Sequence, residues 1–228
     1  MHPKIIAFDA DDTLFVNEPY FLEVEQKFCE LLTDYLSPDH LSKELFKTEI
    51  ENLSLYGYGI KGYILSMIEA ALKISNSNIS IEIIEKIIEL GKQLLQKPIE
   101  LLDGVEETLK ALHGKYKLVV ATKGDLKDQQ SKLQRSGLAH YFHHIEVMSD
   151  KHEINYQHLL TRLEIEPKDF LMIGNSLKSD ILPVLNLGGF AIHIPFHTTW
   201  EHEKISHKIE HPNFKTIENI KDVLNFVN

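Results

Sequence analysis

Two kinds of apolar pattern follow one another along this chain, and their order predicts its architecture. Ile5, Ile6, Ala7 and Phe8 form a short unbroken apolar run of the kind buried on both faces of a parallel sheet, and the run leads straight into Asp9, Asp11 and Asp12. After Phe15 the period changes. Phe21, Val24, Phe28, Leu31, Leu32 and Tyr35 recur at helical spacing within 18–36. Further helical stripes cover 41–53, 60–74 and 80–96, parted by turn formers at Ser37-Pro38, between Gly57 and Gly62, and between Ser75 and Ser80. Four such helices can bury their stripes against one another, which predicts an inserted all-helical unit over 16–97.

Beyond Pro98, strand and helix patterns alternate. Asp103-Gly-Val-Glu106 reads as an N-cap with an acidic third residue, opening a helix to His113. Strand runs at 118–121, 145–148, 170–173 and 190–194 are interleaved with helical patterns at 126–136, 154–163 and 179–187, and a last helix is predicted over 217–227. Strand-then-helix repeats require parallel pairing through crossovers. The fold class is therefore α/β: a doubly wound parallel sheet built from 1–15 and 98–228, carrying the helical insertion. In such sheets the ligand sits beyond the carboxyl ends of the strands. Asp9 with Asp11, Thr122, Lys151, and Asn175 with Asp180 all fall at or just past such ends, on four separate strands. The fold should bring them to one edge.

Composition narrows the possible partners. The 228 residues, 43% hydrophobic and 25% charged, suit one large domain or a core with an insertion, and eleven Gly with eight Pro are too few for a disordered or fibrous chain. A formal net charge of −10 argues against nucleic acid or an anionic membrane as partner, since both reward clustered Lys and Arg. It leaves room for a phosphorylated small molecule at a locally cationic site. Cys29 is the single cysteine, so no internal disulfide forms, and its helical setting predicts a buried, inert thiol. Without an apolar leader or any run near ~18 apolar residues, the expected location is cytoplasmic. The thirteen histidines show neither an HExxH pattern nor pairing with cysteine, and read as surface and core residues.

The acidic stretch carries the chemistry. Asp9 and Asp11 repel each other unless one takes a proton or a cation lies between them, and no Lys or Arg occurs between Lys4 and Lys27 to help. The string DADDT (9–13) after a first buried strand resembles motif I of the haloacid dehalogenase-like (HAD) hydrolase superfamily, most of whose members are Mg²⁺-dependent phosphatases. VVATKG (119–124), SDK (149–151) and GNSLKSD (174–180) look like motifs II, III and IV, and the insertion between motifs I and II is similar to a C1 cap. The resemblance implies hydrolysis of a small phosphate monoester through an aspartyl-phosphate, with Asp9 as nucleophile and Asp11 as general acid/base. It implies that Thr122, Lys123 and Lys151 meet the substrate phosphate. A Mg²⁺ would be held by Asp9, the backbone carbonyl of Asp11, Asn175 and Asp180.

Three positions depart from the family pattern. Lys123 stands where motif II usually has Asn, and either adds positive charge beside the site or faces solvent, the second being the preferred reading. His152 follows Lys151 in place of a frequent Pro. Asn175 replaces the first acid of motif IV, keeping an oxygen donor but losing its charge. That loss motivates an alternative, a catalytically weak HAD-fold binding or regulatory protein, and a phosphomutase is a further one. Asp12 is read as structural, and Tyr56, Tyr58, Tyr63, Asn17, Glu18 and Tyr20 as cap core or hinge. Trp200, in the loop past the last strand, is read as packing against the core.

Overall fold

In the computed structural model of the chain, which describes residues 1–227, the first strand, β1 (Ile5–Phe8), runs up the middle of a six-stranded parallel sheet. β2 (Lys117–Lys123) and β3 (His144–Met148) extend the sheet on one side of it, and β4 (Phe170–Gly174), β5 (Phe190–His193) and β6 (Phe214–Thr216) on the other. The order is β3-β2-β1-β4-β5-β6. The chain thus leaves β1 toward one edge and returns to add β4 on its other flank. A topological switch point lies between β1 and β4, where Phe8 pairs with Ile173.

Period two explains why β1 reads as unbroken apolar sequence. Ile6 and Phe8 pack with Leu118, Val120, Leu171 and Ile173 on one face, beneath Val105, Leu109 and Leu112 of helix α5 (Val105–Leu112). Ile5 and Ala7 pack with Val119, Ala121, Phe170 and Met172 on the other, beneath Tyr156, Leu159 and Leu160 of α7 (Glu153–Leu163). Both faces are covered, so no position of β1 is free to be polar. Between these helices in sequence lies α6 (Leu126–Arg135).

The residues divide into two compact units, one made of Met1–Glu18 with the residues from Ile99 onward, the other of Pro19–Pro98. The second is all helical: α1 (Glu18–Leu31), α2 (Pro38–Tyr56), α3 (Ile60–Ile74) and α4 (Ile81–Leu95). Val24, Phe28, Leu41, Leu45, Met67, Ile87 and Leu94 form its buried centre. At Gly91 on α4 an added Cβ would meet the Ile64 side chain at 2.1 Å, so α3 and α4 meet where one has no side chain. Cys29 is buried there, and burial pushes its thiol up to about 11.

Four sequence expectations differ from what the fold does. Asp103 does not cap α5; the N-cap is Gly104, and the Asp103 carboxylate instead accepts from Asn219 Nδ2 at 3.3 Å. The helix foreseen over 179–187 begins as a π turn, Leu177–Ile181, before α8 (Leu182–Asn186). Pro183 has no N–H to give Ser179, and the Tyr156 hydroxyl donates to that carbonyl instead, at 3.0 Å. The predicted helix over 217–227 is a 3₁₀ turn, Ile220–Asn225, capped by the Asn219 side chain, which accepts from the Lys221 N–H at 2.9 Å. Finally, β6 extends the sheet by a strand that its three residues, two of them exposed, do not announce.

Candidate active site

Asp9 comes directly after β1, and its backbone N–H donates to the Ile173 carbonyl at 2.9 Å, which fixes it over the switch point. Extended backbone stops there. Asp12 takes a left-handed conformation (φ 59°), and its carboxylate accepts the N–H groups of Asn17 (2.8 Å) and Glu18 (3.0 Å) at the start of α1. Asp12 therefore shapes the turn that leads out of motif I.

Lys151 Nζ reaches Asp9 Oδ1 at 2.5 Å and Asp180 Oδ1 at 2.6 Å, and all three side chains are buried. The second oxygen of Asp180 accepts the Ser176 N–H at 3.0 Å. Gly174 makes the approach possible, because a Cβ there would lie 2.2 Å from Asp180 Oδ2. Burial alone would pull the Lys151 ammonium down, but Asp180 and Asp9 together hold it well above the usual lysine range. Asp9 moves the other way, pushed up to about 7 by burial, with Lys151 opposing and Asp180 adding to the rise. The two directions are compatible. One ammonium between two carboxylates stays protonated and leaves one negative charge in surplus, which a further cation would neutralise.

Oxygen atoms gather on the far side of Asp9. Thr13 Oγ1 donates to Asp9 Oδ2 at 3.2 Å and lies 3.3 Å from Asn175 Oδ1. Among the described residues no group of three or more His, Cys, Asp or Glu is placed to hold a metal; Asn175 offers a third side-chain oxygen, joined to Asp9 through the Thr13 hydroxyl. An all-oxygen set with two carboxylates suits a small hard cation that keeps several waters. The residues present fit Mg²⁺.

Asp11 is held apart from Asp9. Lys132 Nζ donates to Asp11 Oδ1, and Gln129 Nε2 donates to Asp11 Oδ2 at 2.7 Å. Thr122, buried at the end of β2, donates to the Lys123 carbonyl at 3.3 Å. Lys123 does not face solvent. Its ammonium lies 2.6 Å from Glu203 Oε1 and 3.0 Å from Ser179 Oγ, so it is engaged by a carboxylate and not open toward a phosphate. Glu203 also accepts from Ser176 and Ser179, each at 2.5 Å. Trp200, half-buried in the same loop, packs against His202 with ring centroids 4.9 Å apart and the rings tilted by 50°.

Glu203, Gln129 and Lys132 were not foreseen from the sequence. One signal for the last two was present. Leu126 and Leu133 are the only large apolar residues in α6, so a helix docked on the sheet with so small an apolar face has to bury polar side chains, as Gln129 and Lys132 are buried. Glu203 had no local signal, since it reaches the site from a loop after β5.

Sheet order and switch point define a doubly wound α/β protein, with the lysine-bound aspartate just beyond β1 as its candidate site. The family model of the haloacid dehalogenase-like hydrolases matches residues 3–188, and the chain belongs to that family of hydrolases. It is 35% identical to a haloacid dehalogenase-like family hydrolase from Xanthomonas campestris, with a TM-score of 0.87 over 96% of this chain and 88% of that one. A predicted phosphoglycolate phosphatase from Haemophilus somnus shares the fold at 20% identity (TM-score 0.64, covering 99% of this chain and 98% of that one). A 2-haloacid dehalogenase from Pseudomonas syringae does so at 18% (TM-score 0.67, 98% and 97%). The N-acylneuraminate-9-phosphatase of Mus musculus is 29% identical over 93 residues, 39% of this chain and 38% of that protein. No helix among the described residues is long and apolar enough to cross a membrane.

Proposed function

We propose that this hydrolase is a Mg²⁺-dependent phosphatase of a small phosphate monoester, working through an aspartyl-phosphate on Asp9, with the helical unit as its C1 cap. The observation that carries the reading is the presence of two carboxylates, Asp9 and Asp11, each with its own buried ammonium. A nucleophile and a separate proton carrier are what phosphoryl transfer by a carboxylate requires. A dehalogenase has no use for a carboxylic acid at position 11. The partial match to an N-acylneuraminate-9-phosphatase supports a phosphate ester as substrate.

Lys151 favours the ionised form of the Asp9 carboxylate against the effect of burial, orients it and meets a phosphate oxygen. Thr122 exchanges its 3.3 Å bond for another phosphate oxygen. Asp9 attacks phosphorus, the bond to the ester oxygen breaks, and Asp11 protonates the departing alcohol. Asp11 then takes a proton from the water that attacks the same phosphorus, and phosphate leaves as Asp9 is regenerated. Asp9, the backbone carbonyl of Asp11, Asn175 and Asp180 would hold Mg²⁺, which when bound supplies positive charge against the phosphoryl oxygens. With one carboxylate fewer than the family pattern, affinity for the ion should be modest.

Hydrolysis of p-nitrophenyl phosphate tests the reading. Turnover should require Mg²⁺ and fall at least ~10³-fold in Asp9→Asn while the far-ultraviolet spectrum is unchanged. Full activity in Asp9→Asn would reject the aspartyl-phosphate on Asp9, and no metal-dependent turnover on a panel of phosphorylated metabolites would reject the phosphatase in favour of a binding protein.

A further inference from the structure

We propose that Gln129 and Lys132 on α6 are positioning residues that hold the Asp11 carboxyl where it can protonate the leaving group; this rests on the role given to Asp11 above. Each Asp11 oxygen has its own donor, Lys132 Nζ on Oδ1 and Gln129 Nε2 on Oδ2 at 2.7 Å, and each of these donors also has a second acceptor. Gln129 and Lys132 are 4% and 7% exposed, whereas the Asp11 side chain is 23% exposed. The donors are thus fixed by packing, and the carboxylate they hold keeps part of its surface in water.

The orientation of the Gln129 amide is determined, not assumed. Nε2 also donates to the Lys123 carbonyl at 3.0 Å, so turning the amide over would set its oxygen against two acceptors. The Oε1 atom is buried without a hydrogen-bond partner among the described residues, a cost the arrangement carries in order to aim both N–H bonds. Gly124 belongs to the same device. It sits at φ +132°, and a Cβ there would be 2.9 Å from Gln129 Nε2. Lys132 in turn donates to Asn17 Oδ1 at 3.0 Å and lies 5.5 Å from the centre of the Phe15 ring, so its own head group is held from three sides.

A reason for such a cradle lies in the motif itself. Asp9 and Asp11 are two residues apart and repel, and the charge of Asp11 adds to the upward push on Asp9. Lys151, from the segment after β3, pairs with one carboxylate, and Lys132, on α6, pairs with the other. Proton transfer needs heavy atoms ~2.6–3.2 Å apart, so an Asp11 carboxyl free to rotate would lose most productive encounters.

The test is the dependence of kcat/KM on the leaving group, because kcat/KM reports only the steps through alcohol departure. Lys132→Met should lower kcat/KM by ~10- to 100-fold for an alkyl phosphate, whose alkoxide needs a proton, and by less than ~3-fold for p-nitrophenyl phosphate, whose phenolate does not. Lys132→Arg should restore much of the alkyl-phosphate rate. Gln129→Leu should show the same slope with a smaller loss, and decides the matter if Lys132→Met does not fold. Equal losses on both substrates in the folded variants would overturn the inference while leaving the phosphatase reading intact. A wild-type protein inactive on every ester would remove both.

Discussion

Glu203, beside the reactive centre, and Glu49, on α2 of the helical unit, are both carboxylates drawn largely out of water, yet they move in opposite directions. Burial acts against Glu203, but the Lys123 ammonium at 2.6 Å and the hydroxyls of Ser176 and Ser179 outweigh it and bring its carboxyl down to about 2. Glu49 is pushed up to about 8 by burial, and the nearby charge of Glu25 adds to the rise. Depth alone decides neither. What differs is whether the sequence places a cation and hydroxyl donors, or a second carboxylate, within reach. Near the site the acid is organised as part of a network; in the helical unit it sits uneasily on a packed face.

The largest way to break the contrast is to remove the cation. Lys123→Met would leave Glu203 buried against two hydroxyls, with side-chain exposures of 13% and 12% for the original pair. Stability should drop by about 3 kcal/mol, or roughly 6–12 °C in melting temperature. A loss below ~1 kcal/mol would mean that Glu203 escapes to water when its partner goes, and that the loop after β5 is not tied to motif II.

Glu203→Gln should have the next largest effect, about 2 kcal/mol at pH 7. The sign follows from the lowered value: the unfolded carboxyl ionises near its ordinary 4.5 and the folded one at about 2. Its contribution is complete above that ordinary value and is lost as the pH falls toward 2. Urea midpoints of wild type and variant should therefore converge between pH 5 and 3. A gap of constant size over that interval would assign the stability to packing and not to the charge.

These groups also mark where sequence reading succeeds and where it stops. β1, β2, β4 and β5 are legible because each carries a short apolar run ending in polar residues, β3 because Ile145, Val147 and Met148 stand out around Glu146, and the ends of those strands locate Asp9, Lys151, Asn175 and Asp180 without knowledge of any contact. The structure then joins Asp9, Lys151 and Asp180 directly. β6 was missed because an edge strand such as Phe214–Thr216 has no two-sided burial to write into its sequence. Asp103 and the 217–227 segment misled through local patterns that tertiary partners, Asn219 and Lys221, redirected. Lys123 was assigned to solvent because its partner lies 80 residues further on, in a loop whose return no local period describes.

The smallest expected effect has the opposite sign and sharpens the contrast most. The unfolded Glu49 carboxyl ionises near 4.5, but the folded one only at about 8, so folding works against ionisation at every pH above 4.5 and increasingly so up to 8. Glu49→Gln removes that penalty. Because Glu49 keeps part of its surface in water, the gain should be about 1 kcal/mol at pH 8. At pH 4, where the carboxyl is protonated in both states, variant and wild type should unfold at nearly the same urea concentration. Glu25→Gln, which removes only the neighbouring charge, should give a smaller gain with the same pH dependence. If Glu49→Gln instead lowers stability at pH 8, the side chain has a partner that favours its charge, and the two carboxylates would be alike after all.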